Sequence, residues 1–462
     1  MIFRSTAEQS PSVDFATALL TGVPPDGGLY HPESLPPFPS GFLEEIQVGI
    51  RRHGPDPVRT GTLVLNHLIG GEGGISLTAL ERVSREALTF PLPLTRISPS
   101  TFLLELFHGP TLAFKDVGAR VMAHLLAALE AEHDGRIRTI LTATSGDTGG
   151  AVASAFEHVP GTRVVVLFPR GRVSREQRIQ FTTAGPNVHA LAVDGSFDDC
   201  QRLAREAFAD TALRRRHGLT SANSINVGRL LPQLIYYVHG WAQLPLDAPP
   251  PSYAVPSGNL GNLTAGLMAR AMGLPAHDFI AATNANRVLV DFLDTGRFSP
   301  QPSRPTLSSA MDVGDPSNLR RILALYSAPG DNRPLLDPAR LQDTRRHLSR
   351  HLSASSWSDE ETEACIRRTK ADTGRLVDPH TAVGMLALQA ARGTNTGQSR
   401  PPGIILATAH PAKFRATVEP LIHDSLPLPA SLEERLHEPE RTRTLESTLP
   451  ALVRALDDVG TK

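Results

Sequence analysis

The stretch TILTATSGDTGGAVASAFEHVPGTRVVVLF, residues 139–168, decides the architecture. Thr139–Ala143 is a short β-branched run that reads as a strand. Ser145-Gly-Asp-Thr-Gly149 then reads as a turn, Gly150–His158 as a helix and Arg163–Phe168 as a second strand. Strand, helix and strand in that order make a βαβ unit, whose parallel strands are covered on both faces. The alternation continues outward: Ser174–Ala184 predicts a helix, Val188–Val193 a strand and Phe197–Asp210 a helix. It resumes with a strand at Tyr253–Val255, the loop Pro256-Ser-Gly-Asn-Leu-Gly261, a helix over Asn262–Met272 and a strand over Phe279–Thr283. Late in the chain Gly403–Thr408 predicts a strand that enters Ala409-His-Pro411 and a helix over Ala412–Ile422. Upstream, apolar residues at Val117, Val121, Leu125, Leu126 and Leu129 mark one face of a helix over Asp116–Glu132. Asp116 is its expected N-cap, which puts Lys115 at the helix mouth.

The 462 residues carry 46 Lys and Arg against 47 Asp and Glu, a net charge of −1, with 20% charged and 40% hydrophobic residues. That composition belongs to a folded chain and excludes bulk disorder. Near neutrality supplies no sequence-independent pull towards nucleic acid or an anionic membrane, so neither is an expected partner. Two cysteines, Cys200 and Cys365, exclude a disulfide framework and a structural zinc cluster, and no metal is expected. Cys200 lies in a helical stretch and reads as a small buried residue. Met1–Ser12 lacks the basic and apolar regions of a secretory signal, and the apolar runs fall short of the roughly 18 residues that span a bilayer. A soluble, cytoplasmic protein is the expectation.

Glycine and proline, 37 and 39 residues, act as punctuation. Two Pro/Gly-rich breaks, Pro245–Pro251 and Gly393–Gly403, look like linkers, the first between two α/β lobes. The expected organisation is a mixed N-terminal region over residues 1–95, with helical pieces such as Val13–Leu20. A two-lobed α/β region follows over 96–425, with its break near 245–252, then a C-terminal tail over 426–462. Gly70–Gly74 reads as a loop, and Arg340–His351, rich in Arg and His, as a solvated helix face.

Three elements carry candidate chemistry. Ser257-Gly-Asn-Leu-Gly-Asn262 follows a strand and opens a helix, so its backbone N–H groups and the helix dipole suit a phosphate monoester; a simple tight turn is the competing reading. Ser145–Gly149 has the same placement and could hold a carboxylate, and it is not the Gly-x-Ser-x-Gly turn of serine hydrolases. Lys115 follows Leu112, Ala113 and Phe114, an apolar setting that disfavours its charged form. A neutral amine can form a Schiff base, whereas a snorkelling surface lysine is the commoner case.

His108-Gly-Pro-Thr-Leu-Ala-Phe-Lys-Asp116, Ala143–Gly149, Ser221-Ala-Asn-Ser-Ile-Asn226, Pro256–Asn259, Ala310-Met-Asp312 and Ala407-Thr-Ala-His-Pro-Ala-Lys413 together resemble the threonine synthase family, closest to its long bacterial and fungal type. The opening segment Phe15–Pro32 is similar too, and the match runs in family order from Phe15 to Pro427. The resemblance implies an α/β protein of the tryptophan-synthase β-subunit fold type (fold type II), with parallel-rich sheets in two lobes and pyridoxal 5'-phosphate between them. Lys115 would hold the cofactor as a Schiff base. Gly258, Asn259, Leu260 and Asn262 would hold its phosphate, and the Thr408 hydroxyl would face the pyridine nitrogen. The family reaction converts O-phospho-L-homoserine and water to L-threonine and phosphate, Lys115 moving first the α and then a β proton. Thr144, Ser145, Asp147 and Thr148 would take the substrate carboxylate, and Ser224, Asn226 and Arg229 its phosphate. For Arg229 the alternative is a surface ion pair. His108 and His380 could relay protons or serve as structural histidines. A monomer is the expected state, and closure of one lobe on the other would exclude water.

The nearest alternatives are a phospho-lyase that yields 2-oxobutyrate and, from another class, a catalytically silent ligand-binding protein. Leu260, Val227, Val117 and Ala7 depart from residues frequent in the family and concern packing more than chemistry.

Overall fold

The computed structural model describes residues 1–71, 74–130, 137–144, 146–328, 330–393 and 401–460, and among these the strands form three sheets. Residues 139–168 supply the middle of a five-stranded parallel sheet. Its order is Thr442–Glu446, Val188–Asp194, Thr162–Pro169, Arg138–Ala143 and Leu219–Ser221. Successive side chains of a strand point to opposite faces, and here both faces are covered. Ile140, Val164 and Val166 join the main core, while Leu141, Val165 and Leu167 pack into a second core with Cys200, Leu203 and Leu452.

The second sheet has six strands in the order Leu352–Ser356, Asp278–Thr283, Ser252–Pro256, Gly403–Ala407, Thr101–Glu105 and Leu94–Ser98. All its pairs are parallel except the terminal hairpin of Leu94–Ser98 with Thr101–Glu105. Pro245–Pro251 does lie between strands of different sheets, but the lobes interleave. Thr101–Glu105, far upstream of that break, pairs with Gly403–Ala407 in the later lobe.

Of residues 426–462, expected to form a tail, the described ones, 426–460, return to the first lobe. Thr442–Glu446 adds in parallel to Val188–Asp194, and the helix Leu449–Gly460 packs Leu452, Ala455 and Leu456 into the second core. Otherwise Val188–Asp194 would present an unpaired edge, and the strand that covers it is too short and polar to signal itself in sequence. The N-terminal region also contains more than helical pieces. Ile2–Ser5 pairs antiparallel with Val13–Asp14 and Tyr30–Pro32, and the expected helix from Val13 instead begins at Phe15, its Thr17 N–H capped by Asp14 at 2.8 Å.

Two smaller expectations change. The helix Lys115–Glu130 starts one residue before Asp116, whose carboxylate does not cap it but accepts from the Thr111 N–H at 2.9 Å and the Thr111 hydroxyl. The helix Pro338–Leu348 is not wholly solvated, since Arg340 is buried and pairs with Glu8 at 3.2 Å. Parts of the Gly70–Gly74 loop and the Gly393–Gly403 linker lie outside the described residues. No helix among the described residues is long and apolar enough to cross a membrane.

Candidate functional site

A cavity of about 480 Å³ opens beyond the carboxyl ends of strands from both sheets, the crevice where open α/β sheets bind ligands. Thr144 follows Arg138–Ala143, Gly258 follows Ser252–Pro256 and Thr408 follows Gly403–Ala407, and all three residues line it.

Lys115 reaches this cavity because the segment before it is stitched to the strand end that carries Thr408. Phe114 N–H donates to the Thr408 carbonyl at 2.9 Å, His410 N–H donates to the Leu112 carbonyl at 3.0 Å, and Ala113 bridges Ala409. The chain then turns into the helix Lys115–Glu130, leaving the lysine and Thr408 on the same wall. Lys115 Nζ stands 3.6 Å from Asp147 Oδ2, with only 16% of its side chain exposed. Burial pushes the ammonium towards its neutral form; Asp147 opposes this, and Lys413 and Arg229 reinforce it.

Asp147 is the electrostatic centre of the site. Its Oδ1 lies 2.6 Å from Lys413 Nζ and accepts from Gln177 Nε2 at 3.0 Å. Burial alone would raise its pKa, but Lys413 and then Lys115 override this and hold the carboxyl well below the usual carboxylate range. Lys413 has no exposed side-chain surface and also donates to the Thr111 carbonyl at 2.9 Å. Lys413 lies inside the Ala407–Lys413 motif, whose sequence pattern assigns it no role. A lysine two residues after a helix-starting proline in an otherwise buried motif was the available signal.

The glycine loop is held rigidly. Asn259 Oδ1 accepts from Ser317 N–H at 2.6 Å and from its hydroxyl at 2.9 Å, while Asn259 Nδ2 donates to Ser224 Oγ at 2.7 Å. A Cβ on Gly258 would come within 2.7 Å of Met311 Cα, so only glycine lets Ala310-Met-Asp312 pack against the loop. Leu260 adopts φ +62° and precedes the helix Gly261–Ala271, whose N-terminus has no side-chain cap. Asn262, in its first turn, lines the cavity. Its Oδ1 accepts from the Tyr236 and Tyr237 hydroxyls at 2.8 and 2.7 Å, and its buried Nδ2 has no partner among the described residues. An uncapped helix end and an orphaned buried donor make a site suited to an anion, and they fit a phosphomonoester.

The other predicted residues divide. Thr148 and Ser224 line the cavity, and Ser145 lies outside the described residues. Thr144 lines it too, but its hydroxyl is committed to the loop, accepting from Gly146 N–H at 2.9 Å and Gly149 N–H at 2.8 Å. Asn226 is a correction. It is not among the lining residues; its Nδ2 donates to the Leu19 and Ser221 carbonyls and its Oδ1 caps Gly228 N–H, so no polar atom is left for a ligand. Arg229 forms no ion pair among the described residues. It is buried at the cavity, donates to the Ala222 carbonyl, leaves Nε without a partner, and burial pulls its pKa down to about 10. His380 lines the cavity with both ring nitrogens engaged, Nδ1 by Asp378 at 2.8 Å and Nε2 by the Ala310 N–H at 3.2 Å. His108 pairs with Glu105 at 2.8 Å and is not a lining residue. Asn223, which the motif contained but no role singled out, does line the cavity. Among the described residues no group of three or more His, Cys, Asp or Glu is placed to hold a metal ion.

Comparisons with known proteins converge. The pattern of pyridoxal-phosphate-dependent enzymes matches residues 90–401, that of the threonine synthase N terminus residues 2–48 and that of the threonine synthase C-terminal region residues 381–456. The threonine synthase of Escherichia coli K12 is 40% identical over 448 residues, 96% of either chain. The crystal structure of threonine synthase from E. coli superposes with a TM-score of 0.86 at 38% identity, covering 99% of this chain and 100% of that one. The pyridoxal-phosphate-bound threonine synthase from Brucella melitensis superposes at 0.88 with 34% identity, covering 100% of both.

Proposed function

Because the chain belongs to the threonine synthase family of pyridoxal-phosphate-dependent enzymes, we propose that it converts O-phospho-L-homoserine and water to L-threonine and phosphate in the cavity around Lys115. The observation that carries the reading is one cavity holding both a buried lysine amine, 3.6 Å from Asp147, and a glycine loop with the orphaned Asn262 Nδ2.

The residues present fit the cofactor. Lys115 would bind its aldehyde. The backbone of Gly258, Asn259 and Leu260, with Asn262, would take its phosphate at the uncapped helix end. Thr408, on the wall shared with Lys115, would offer its hydroxyl to the ring nitrogen. When bound, pyridoxal phosphate supplies an electron sink that acidifies the α and β C–H bonds of an attached amino acid and lets phosphate leave from the γ carbon.

The chain's own part is positioning and proton transfer. Lys115 Nζ, favoured as a free amine by burial, would take the α proton and then a β proton and return protons to carbon. Asp147, kept ionised by Lys413, would hold the ammonium so formed within reach. Thr148 and the turn before it would face the substrate carboxylate, while Arg229 Nε and Ser224 would meet its phosphate. Movement of one lobe towards the other would exclude water until the substrate is held. A monomer is taken as the working unit, and the reading places the enzyme in the cytoplasm.

The test is direct. Purified protein is incubated with O-phospho-L-homoserine, and phosphate, threonine and 2-oxobutyrate are quantified. Threonine equal to phosphate is expected; 2-oxobutyrate in its place refutes the synthase, and full turnover by Lys115→Ala refutes the assignment of the lysine.

A further inference from the structure

Beside the cavity lies a second, larger groove of about 1640 Å³, walled by the N-terminal segment Thr17–Leu29, the short helix Thr211–His217 and the helix Leu319–Tyr326. The two spaces share Arg205, Phe208, Ile225, Asp315 and Ser317, so the groove runs into the candidate site. Its charge is one-sided although the whole chain carries only −1. Three of its arginines have acidic partners: Arg138 with Glu130 at 2.7 Å, Arg216 with Asp457 at 2.8 Å and Arg320 with Asp315 at 3.1 Å. Four others line it with no acid of the described residues within ion-pair distance. Among the described residues Arg214 reaches the Thr21 carbonyl at 3.4 Å, and Arg163, Arg205 and Arg215 contact no carboxylate. His217, the other basic group, is already taken by Asp457 at 3.0 Å.

We propose that this groove is an entry channel for phosphate dianions, in which Arg163, Arg205 and Arg215 capture the phosphorylated substrate before it reaches the cavity; this rests on the reaction proposed above. A cleft lined by one sign of charge with low-dielectric walls focuses its field and raises the local concentration of an oppositely charged ligand. Three arginines unencumbered by carboxylates keep that field unneutralised, and guanidinium matches phosphate geometry. Arg205, on the helix Phe197–Ala209, stands where groove and cavity meet and would hand the dianion inward. The same chemistry would receive inorganic phosphate on its way out, and the experiment separates the two directions.

Holoenzyme is mixed with O-phospho-L-homoserine in a stopped-flow instrument, and the second-order binding rate is read from the cofactor absorbance as salt is raised from about 0.02 M to about 0.3 M. Arg163→Gln/Arg215→Gln and Arg205→Gln are compared with the unaltered protein. The double variant should bind substrate about five-fold more slowly at low salt, within the range of electrostatic steering, converge with the parent at high salt and keep its kcat. Binding of uncharged-side-chain L-homoserine should be equal in all three proteins, which excludes a misfolded variant. Weaker product inhibition by phosphate in the double variant would extend the channel to the exit direction; unchanged inhibition would confine it to entry. A parent binding rate that is indifferent to salt, or equal rates in parent and variants at low salt, would overturn the proposal. If no threonine forms at all, the reaction reading fails, and the groove is then decided by calorimetry with inorganic phosphate: tighter binding to the parent than to the double variant upholds it, and equal binding ends it.

Discussion

Replacing Asn262 with alanine isolates a single donor in the proposed cofactor site. In the folded chain its Oδ1 accepts from two buried tyrosine hydroxyls, so truncation could be suspected of harming the core through unpaired donors. Each hydroxyl has a second acceptor, however: Tyr236 reaches Gln233 Oε1 at 2.7 Å, and Tyr237 reaches the Asn262 carbonyl at 3.0 Å, which survives the substitution. Neither hydroxyl is left unsatisfied, and the stability loss should stay near about 1 kcal/mol. Nδ2, by contrast, has no partner among the described residues to lose in the cofactor-free chain. A hydrogen bond to a charged group contributes about 1.5–3 kcal/mol, so the dissociation constant for pyridoxal phosphate should rise about 10- to 150-fold. The assay is titration of cofactor-free protein with pyridoxal phosphate, followed by absorbance, beside urea unfolding of the same samples. An unchanged affinity with an unchanged unfolding midpoint would refute the assignment of Nδ2 to the cofactor phosphate.

Lys413→Met should lower stability by about 3–5 kcal/mol, because it leaves the buried Asp147 carboxylate with one cation in place of two. The Lys115 amine then gains charge more readily, so the pH at which cofactor-free protein captures pyridoxal phosphate should move upward; no movement would contradict the electrostatic coupling. His31 and His239 are buried, with pKa values pushed down to about 3 and about 4, so the unfolded chain takes up protons first as pH falls below the usual histidine value. Each should cost about 2 kcal/mol between pH 7 and pH 5, seen as a lower urea midpoint, and His239→Gln should remove part of that slope. Burial raises the thiol pKa of Cys365 and pushes that of Cys200 up to about 12, so neither should react with an aromatic disulfide reagent at pH 8 until the chain unfolds.

Local signals reached as far as local causes did. The strand, turn and helix around Thr139–His158 were legible because period-two and period-3.6 patterns are properties of neighbouring residues. The structure gives the strand Arg138–Ala143 and the helix Asp147–Phe156, a difference of boundary only. Lys115 and the glycine loop, which line one cavity, could be singled out as candidates for a similar reason, since an apolar run before a lysine and a glycine-rich strand-to-helix turn are each patterns of a few residues. Asn226 shows where this stops. Within its motif it reads as a polar donor like Ser224, yet Leu19, more than two hundred positions away in sequence, claims its amide.

The sequence by itself determined the α/β class, the parallel sheets and the family, and it singled out the lysine and the glycine-rich turn as candidates, because each rests on spacing along the chain. Only the tertiary structure decided that the C-terminal strand completes the first sheet, that Thr101–Glu105 belongs to the second, and that Lys413 and Lys115 share one aspartate. Those are contacts between segments hundreds of residues apart. Their energies come from burial and from charges brought within about 4 Å, and neither quantity exists until the chain has closed on itself.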